Sequence, residues 1–246
     1  ALMQPFFGLL ADRANCKKLM IATNVLQIFL ALAFIAVDGP EDIWWMFLCS
    51  GAMMALHGLY VTAERAAIPN IVNSEDLTTA NALDSATWST ALCLGAFVGG
   101  LVVSEYGVTV AFIIDSITFL IGTIILLPLT VPQTYDKASS GSIITSSLKD
   151  MWIGQKRIQS DPRLFRIIFA KTSWNIAGGG LAGVFLVLAG NDVDFVGAAL
   201  GFGIFFFARG VGTGIGPILA RRLFKDSEKW PRLVGILIVV SGLFYV

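Results

Sequence analysis

An apolar run, Ala1 to Leu10, stops at Asp12; three cations (Arg13, Lys17, Lys18) follow within six residues, and a second apolar run, Leu19 to Val37, begins at once. Two long hydrophobic helices joined by so short a cationic turn place that turn at a membrane surface. A membrane-spanning helix needs about 20 mostly apolar residues. By that criterion the expected segments are 1–10 (the end of a helix), 19–37, 43–63, 85–103, 108–130, 165–189, 196–220 and 233–246 (the start of another). Charged residues make up 14% of the 246-residue chain and apolar ones 56%, against about 25% charged in a soluble domain. The chain has too little polar surface to cover itself in water, so the expected class is an all-α, multi-pass membrane protein. Because the sequence starts and stops inside apolar runs, it reads as the middle of a longer protein, truncated at both ends.

The connections alternate in charge. Asp38-Gly39-Pro40-Glu41-Asp42, Ser104-Glu105-Tyr106-Gly107 and Asn191-Asp192-Val193-Asp194 contain no Lys or Arg, whereas the intervening connections, with Arg166 at the very start of the segment after the linker, hold 15 of the 17 basic residues. The positive-inside rule then puts the basic connections in the cytoplasm and the acidic links outside the cell membrane. Residues 131–164 are the largest break in hydropathy. After Pro132 and the polar turn Ser139-Ser140-Gly141-Ser142, residues Ile144, Leu148, Met151, Trp152 and Ile158 fall within about 120° of arc at 100° per residue, with Lys149, Lys156 and Arg157 off that stripe. This predicts an amphipathic helix on the cytoplasmic membrane face, serving as a tether or as a regulatory element. The expected organisation is a bundle over 1–130, a central linker over 131–164 and a partial second bundle over 165–246. In the connection from Glu64 to Asp84, Ile68-Pro69 is expected to end one helix, and Ser74-Glu75-Asp76 to cap the next with acids in its first turn.

Gly216-Pro217-Ile218-Leu219-Ala220-Arg221-Arg222 echoes Gly8 to Arg13 at an offset of 208 residues, with Ala220 where the first copy has Asp12. Repeated six-helix units, related by inverted repeats within them, are how many secondary transporters are built. Gly8, Leu10, Ala11, Asp12, Arg13, Lys17 and Lys18 resemble the helix 2–3 signature of the major facilitator superfamily; Asn15 and Cys16 depart from its commonest form. Gly216, Arg221 and Arg222 fit the helix 8–9 position as a degenerate second copy. Arg65-Ala66-Ala67-Ile68-Pro69-Asn70-Ile71-Val72, Leu77 and Ala80-Asn81-Ala82-Leu83 look like the helix 4–5 connection of the branch holding macrolide-efflux and siderophore-exporter-like proteins. Gly95-Ala96-Phe97-Val98-Gly99-Gly100 is similar to the helix 5 motif of drug/proton antiporters, with Ala96 in place of proline. Small residues at such spacing also suit close helix packing in any bundle.

The resemblance implies a two-bundle fold covering the end of helix 2 to the start of helix 9. It implies a secondary active transporter that exports a hydrophobic or amphiphilic small molecule by alternating access, coupled to H+. Import of a small solute on the same fold, or a transport-inactive scaffold or sensor, are the other readings. Asp12 and Arg13 occupy the family's gating position, where an acid at the bundle rim can meet a helix N-terminus or a cation in only one of two states; interfacial anchoring is the alternative. Ionisable residues inside spans are functional by default. Arg209 is a candidate for holding an anionic substrate group or an acid. Asp115 is a candidate inter-helix contact or proton carrier, Lys171 a candidate that could equally snorkel to water, and His57 either a titrating group or a hydrogen-bonded structural one. The scattered Cys16, Cys49 and Cys93 suggest neither disulfide nor zinc. No GxxxxGK[ST] occurs, and the glycines of 178–180 and 201–216 read as packing or bending points. No nucleophile–base pair can be assembled, so an enzyme is not expected, nor a cofactor, a metal or a nucleic-acid partner. The expected partners are a small-molecule substrate and the bilayer, with the protein a monomer.

Overall fold

The computed structural model describes residues 4–132, 143–173, 188, 198–223, 235–237 and 239–240. The link Asn191–Asp194, the turn 139–142, Gly178–Gly180, Lys137, Lys225, Lys229, Arg232 and most of the segments expected at 165–189 and 233–246 lie outside the described residues. Eight helices of ten residues or more are described: α1 (Gln4–Arg13), α2 (Cys16–Ala33), α3 (Ile43–Ile71), α4 (Leu77–Tyr106), α5 (Val108–Leu126), α6 (Ile143–Ser160), α7 (Pro162–Ser173) and α8 (Ala198–Leu223). Short 3₁₀ turns, Phe34–Ala36 and Pro40–Asp42, complete the ordered backbone between α2 and α3. No strand occurs among the described residues. That is the outcome a bilayer demands of an open chain, because a helix satisfies its own backbone donors and acceptors. Five helical segments are long and apolar enough to cross a membrane: Cys16–Ala36, Pro40–Ile71, Thr79–Tyr106, Val108–Leu126 and Ala199–Gly216.

Helices α1, α3 and α4 run past the ends that hydropathy predicts, whereas α5 stops at Leu126, short of the expected 130. Helix α3 passes Ile68 and ends at Ile71, with Pro69 inside its last turn. There the proline removes one donor, and the Val72 N–H still reaches the Ile68 carbonyl at 3.2 Å; Ile68-Pro69 is therefore not the stop. Helix α4 has no acid in its first turn. Asp76 sits at its N-cap position, its carbonyl accepting from the Ala80 N–H at 2.9 Å, while the Asp76 N–H closes a turn onto Asn73. Ser74 is thus part of a turn before the helix rather than its cap. The link Ser104–Gly107 shrinks to Gly107 alone, since α4 continues to Tyr106 and α5 starts at Val108. Gly107 has φ 83°, a conformation a side chain resists, so a one-residue reversal needs glycine there. The amphipathic helix expected in the linker exists as α6, and Asp161 separates it from α7, its carboxylate accepting from the Leu164 N–H at 3.3 Å.

The described residues group into two compact units: Ala1–Leu83 with Tyr106–Trp152, and Asp84–Glu105 with Ile153–Val246. In the first, α2 is the central element, packed on α3 and α5, and α1 lies on α3. Phe7 of α1 fits against Gly58, where a Cβ would come within 3.2 Å of its ring. The polarity of this unit is inverted relative to a soluble protein. Apart from Met20, its buried residues are small or polar, including Thr23, Asn24, Gln27, Ser116 and Thr123, whereas Trp44 is 80% exposed and Phe29 65%. Lipid-facing apolar side chains and an interior of small and hydrogen-bonding groups are what helix packing in a bilayer favours.

In the second unit α4 and α8 run antiparallel along a seam of small residues. A Cβ at Gly100 would lie 2.7 Å from the Ala199 carbonyl oxygen, one at Gly203 2.8 Å from the Ala96 oxygen, and one at Gly210 2.6 Å from the Cys93 Cα. Phe97 and Phe207 fill the space between the close approaches, ring centroids 5.7 Å apart. Gly210→Ala forces backbone apart rather than a flexible side-chain tip. The expected effect is a loss of about 1–3 kcal/mol, read as a lower thermal midpoint of the full-length protein in detergent. Gly99→Ala, where nothing lies within 4 Å, leaves the midpoint unchanged or slightly raised.

Candidate functional site

The cationic turn between α1 and α2 is the most closely built of the sequence-predicted features. Helix α1 ends at Arg13, and only Ala14 and Asn15 separate it from α2. The Asn15 side chain caps α2, accepting from the Lys18 N–H at 3.0 Å, which satisfies one of the donors a helix start leaves open. Cys16 is 1% exposed, and its thiol donates to the Ala11 carbonyl at 3.5 Å. The two residues that depart from the commonest form of the motif therefore do the local work of holding the turn. Lys17 reaches further: its Nζ donates to the Leu127 carbonyl oxygen at 2.6 Å, at the C-terminal cap of α5. A cation there meets both an orphan carbonyl and the negative end of the helix dipole. Below this tie Cys16, Met20, Ala63 and Ala67 form a buried cluster, with Leu19, Tyr60 and Leu126 packed around it. Lys18 is exposed. Asp12 lies in the last turn of α1, and a Cβ placed on Gly8 would meet nothing within 4 Å; the Asp12 side chain is outside the described residues.

Deeper in the same unit, α2 turns Thr23, Asn24 and Gln27 inward. Gln27 Nε2 lies 3.4 Å from Met53 Sδ on α3. The Ser116 hydroxyl of α5 reaches the Ile28 carbonyl at 3.4 Å as well as Phe112 of its own helix at 3.0 Å. Asn24 faces Gly122, where a Cβ would come within 3.3 Å of the amide nitrogen. This polar interior is absent from the predicted sites, although its signal is in the sequence: Thr23, Asn24 and Gln27 share one face of an otherwise apolar helix.

The other predicted residues are spread rather than gathered. His57 is exposed on α3, and Asp115 is half-buried on α5. Thr118 donates to the Asp115 backbone carbonyl at 2.7 Å, which leaves the carboxylate uninvolved in that bond. Lys171 lies near the end of α7, and Arg221 and Arg222 in the last turn of α8, with their side chains outside the described residues. Of the helix 5 glycines only Gly100 sits in the α4–α8 seam; Gly95 and Gly99 have nothing within 4 Å, and the same holds for Gly216. Arg209 is half-buried in α8, its guanidinium carbon 5.5 Å from the centre of the Phe206 ring. No element brings Arg209, Asp115 and His57 to a common point within either unit, since Arg209 belongs to the second and the other two to the first.

A family model described as Major Facilitator Superfamily matches residues 1–246. Among curated proteins the chain is 23% identical over 241 residues to the "Putative bacilysin exporter BacE" of Bacillus subtilis, covering 97% of this chain and 58% of that protein. The protein of the same name from Bacillus amyloliquefaciens matches with the same identity and coverage. The chain thus spans 58% of the length of these relatives. No solved structure matches.

The Lys17 tie is tested by substitution. Lys17→Met in the full-length protein is expected to cost about 0.3–1 kcal/mol, and Asn15→Ala about 0.5–2 kcal/mol, both as a lowered thermal midpoint. Lys17→Arg retains a donor and most of the stability, and Lys18→Ala changes nothing measurable.

Proposed function

The chain belongs to the Major Facilitator Superfamily, and on that premise we propose that the protein exports a hydrophobic or amphiphilic small molecule by alternating access, driven by proton entry. The observation that carries this is the match of the whole chain to a family of membrane transporters, joined to relatives whose printed name is that of an exporter. The helix 4–5 connection, Arg65 to Val72 with Leu77 and Ala80 to Leu83, supports placement in the macrolide-efflux and siderophore-exporter-like branch. Residues 1–130 form the first bundle, 131–164 the central linker with α6, and 165–246 part of the second bundle. The connections carrying 15 of the 17 basic residues face the cytoplasm, and the acidic links face outside.

In this reading Asp12 and Arg13 are a conformational latch at the cytoplasmic rim. Lys17 holds α2 and α5 together at the same rim, so that the turn moves with the bundle as a rigid body. With no nucleotide-binding loop in the sequence, the driving force is assigned to an ion gradient. Asp115, a half-buried carboxylate within a span, is a candidate proton carrier, with an inter-helix contact as its other reading. Import of a small solute is the second reading, favoured by one feature: Ala96 stands where the similar motif of drug/proton antiporters carries proline.

The test follows a fluorescent lipophilic dye in cells lacking their main efflux pumps and expressing the complete reading frame. Wild-type cells are expected to accumulate less dye than empty cells, with the difference abolished by a protonophore and by Asp12→Asn. Asp115→Asn is expected to remove the protonophore-sensitive part. Accumulation equal to empty cells in every condition contradicts broad export of lipophilic compounds.

A further inference from the structure

Between the spans Val108–Leu126 and Ala199–Gly216 lie two amphipathic helices, α6 and α7, separated by Asp161 alone. Residues 143–173 hold six basic side chains (Lys149, Lys156, Arg157, Arg163, Arg166 and Lys171) against two acidic ones, Asp150 and Asp161. At 1.5 Å per residue α6 is about 27 Å long, close to the thickness of a hydrocarbon core. Lys149, Asp150, Lys156 and Arg157 keep it out of that core, and α6 is not one of the helices apolar enough to cross. Its apolar side chains are nevertheless uncovered. Trp152 is 62% exposed, and Met151 and Ile153 beside it are exposed as well. Lys149 stands three residues before Trp152 and Lys156 four residues after it, one turn to either side on the same face, and both are exposed. On α7 Phe165 and Phe169 stack with ring centroids 5.8 Å apart. Phe169 is 61% exposed, and Arg166, three residues before it, is exposed too. Each helix thus repeats one pattern, an uncovered aromatic with a cation one turn away.

We propose that α6 and α7 dock on anionic phospholipids of the leaflet they lie against, Trp152 and Phe169 entering below the headgroups while Lys149, Lys156 and Arg166 hold phosphates. The fit is one of charge and depth. An aromatic ring of this kind settles at headgroup level, and Lys or Arg stems run along apolar surface to leave their charge among phosphates. An acidic protein would match the cations equally well but has to be recruited. Lipid is at hand, since α5 ends its span at Leu126 and α6 begins at Ile143. Each Lys or Arg near an anionic leaflet strengthens association about fivefold, an attraction that fades within a Debye length and therefore with salt. This docking requires a membrane around the chain but neither a direction of transport nor a cargo, and so goes beyond the export reading.

The test uses the full-length protein in phosphatidylcholine nanodiscs, with serines at its native cysteines and a bimane fluorophore on Met151→Cys. Quenching of the bimane is followed as phosphatidylglycerol or phosphatidylcholine carrying an acyl-chain nitroxide is included at equal mole fraction. Both lipids are expected to quench, phosphatidylglycerol with an apparent association about fivefold or more stronger at low salt. That advantage is expected to disappear in about 1 M salt. Lys149→Gln, Lys156→Gln and Arg166→Gln together are expected to bring the two lipids level, whereas Trp152→Ala with Phe169→Ala weakens quenching by both and keeps their ratio. Thermal midpoints report whether each variant is folded, and the salt titration tests the charges without substituting them if the triple variant does not fold. Quenching by neither lipid places this surface against protein and overturns the proposal. Equal quenching by the two lipids at low salt leaves apolar anchoring alone and overturns it too. A preference for phosphatidylglycerol that survives the triple substitution or about 1 M salt does the same.

Discussion

The structure depends on one constraint, the absence of water as a hydrogen-bonding partner for the backbone. Every described span is a helix that closes its own backbone hydrogen bonds, and at two helix ends a side chain from another helix meets a carbonyl. Trp45 Nε1 donates to the Ala33 carbonyl at 2.9 Å at the end of α2, and Lys17 meets Leu127 at the end of α5. Hydroxyls inside the spans turn back on their own helices, as Thr23 does to Leu19 and Met20 at 2.9 Å each. Polar side chains can therefore be placed inside an apolar chain at little cost.

With no hydrophobic force to press helices together in lipid, association has to come from close fit and from polar contacts. The two units solve this differently. The first buries a polar face of α2 against α3 and α5, with Gln27, Ser116 and the Lys17 tie as its joints. The second brings backbones together through Gly100, Gly203 and Gly210, spaced by the Phe97–Phe207 pair. A seam of glycines fixes distance without fixing many side-chain interlocks.

Much of this is legible in the sequence because the bilayer imposes a coarse, one-dimensional code. Helix class, the places of the five described spans and the presence of α6 follow from run length and amphipathic period. Helix ends do not follow, and the reason is local: hydropathy measures where lipid stops, whereas Pro69, Tyr106 and Leu223 show helices continuing past that level. The cationic turn is visible as a motif, but the Lys17–Leu127 bond joins residues 110 positions apart, and no local pattern encodes such a pairing. The glycines divide for the same reason. Gly95, Gly99 and Gly100 look alike in sequence, yet only Gly100 meets a partner, because the crossing of α4 with α8 decides which of them is at the contact.

The proposed orientation places the basic connections on the cytoplasmic side of the membrane. It is tested most directly by labelling single cysteines with a membrane-impermeant maleimide in intact cells. The full-length protein would carry serines at its native cysteines and one new cysteine, Gly39→Cys or Lys156→Cys. Labelling of residue 39 in intact cells, and of residue 156 only after permeabilisation, is the result predicted. Equal labelling of the two before permeabilisation, or the reverse order, contradicts the orientation and with it the direction of transport built upon it.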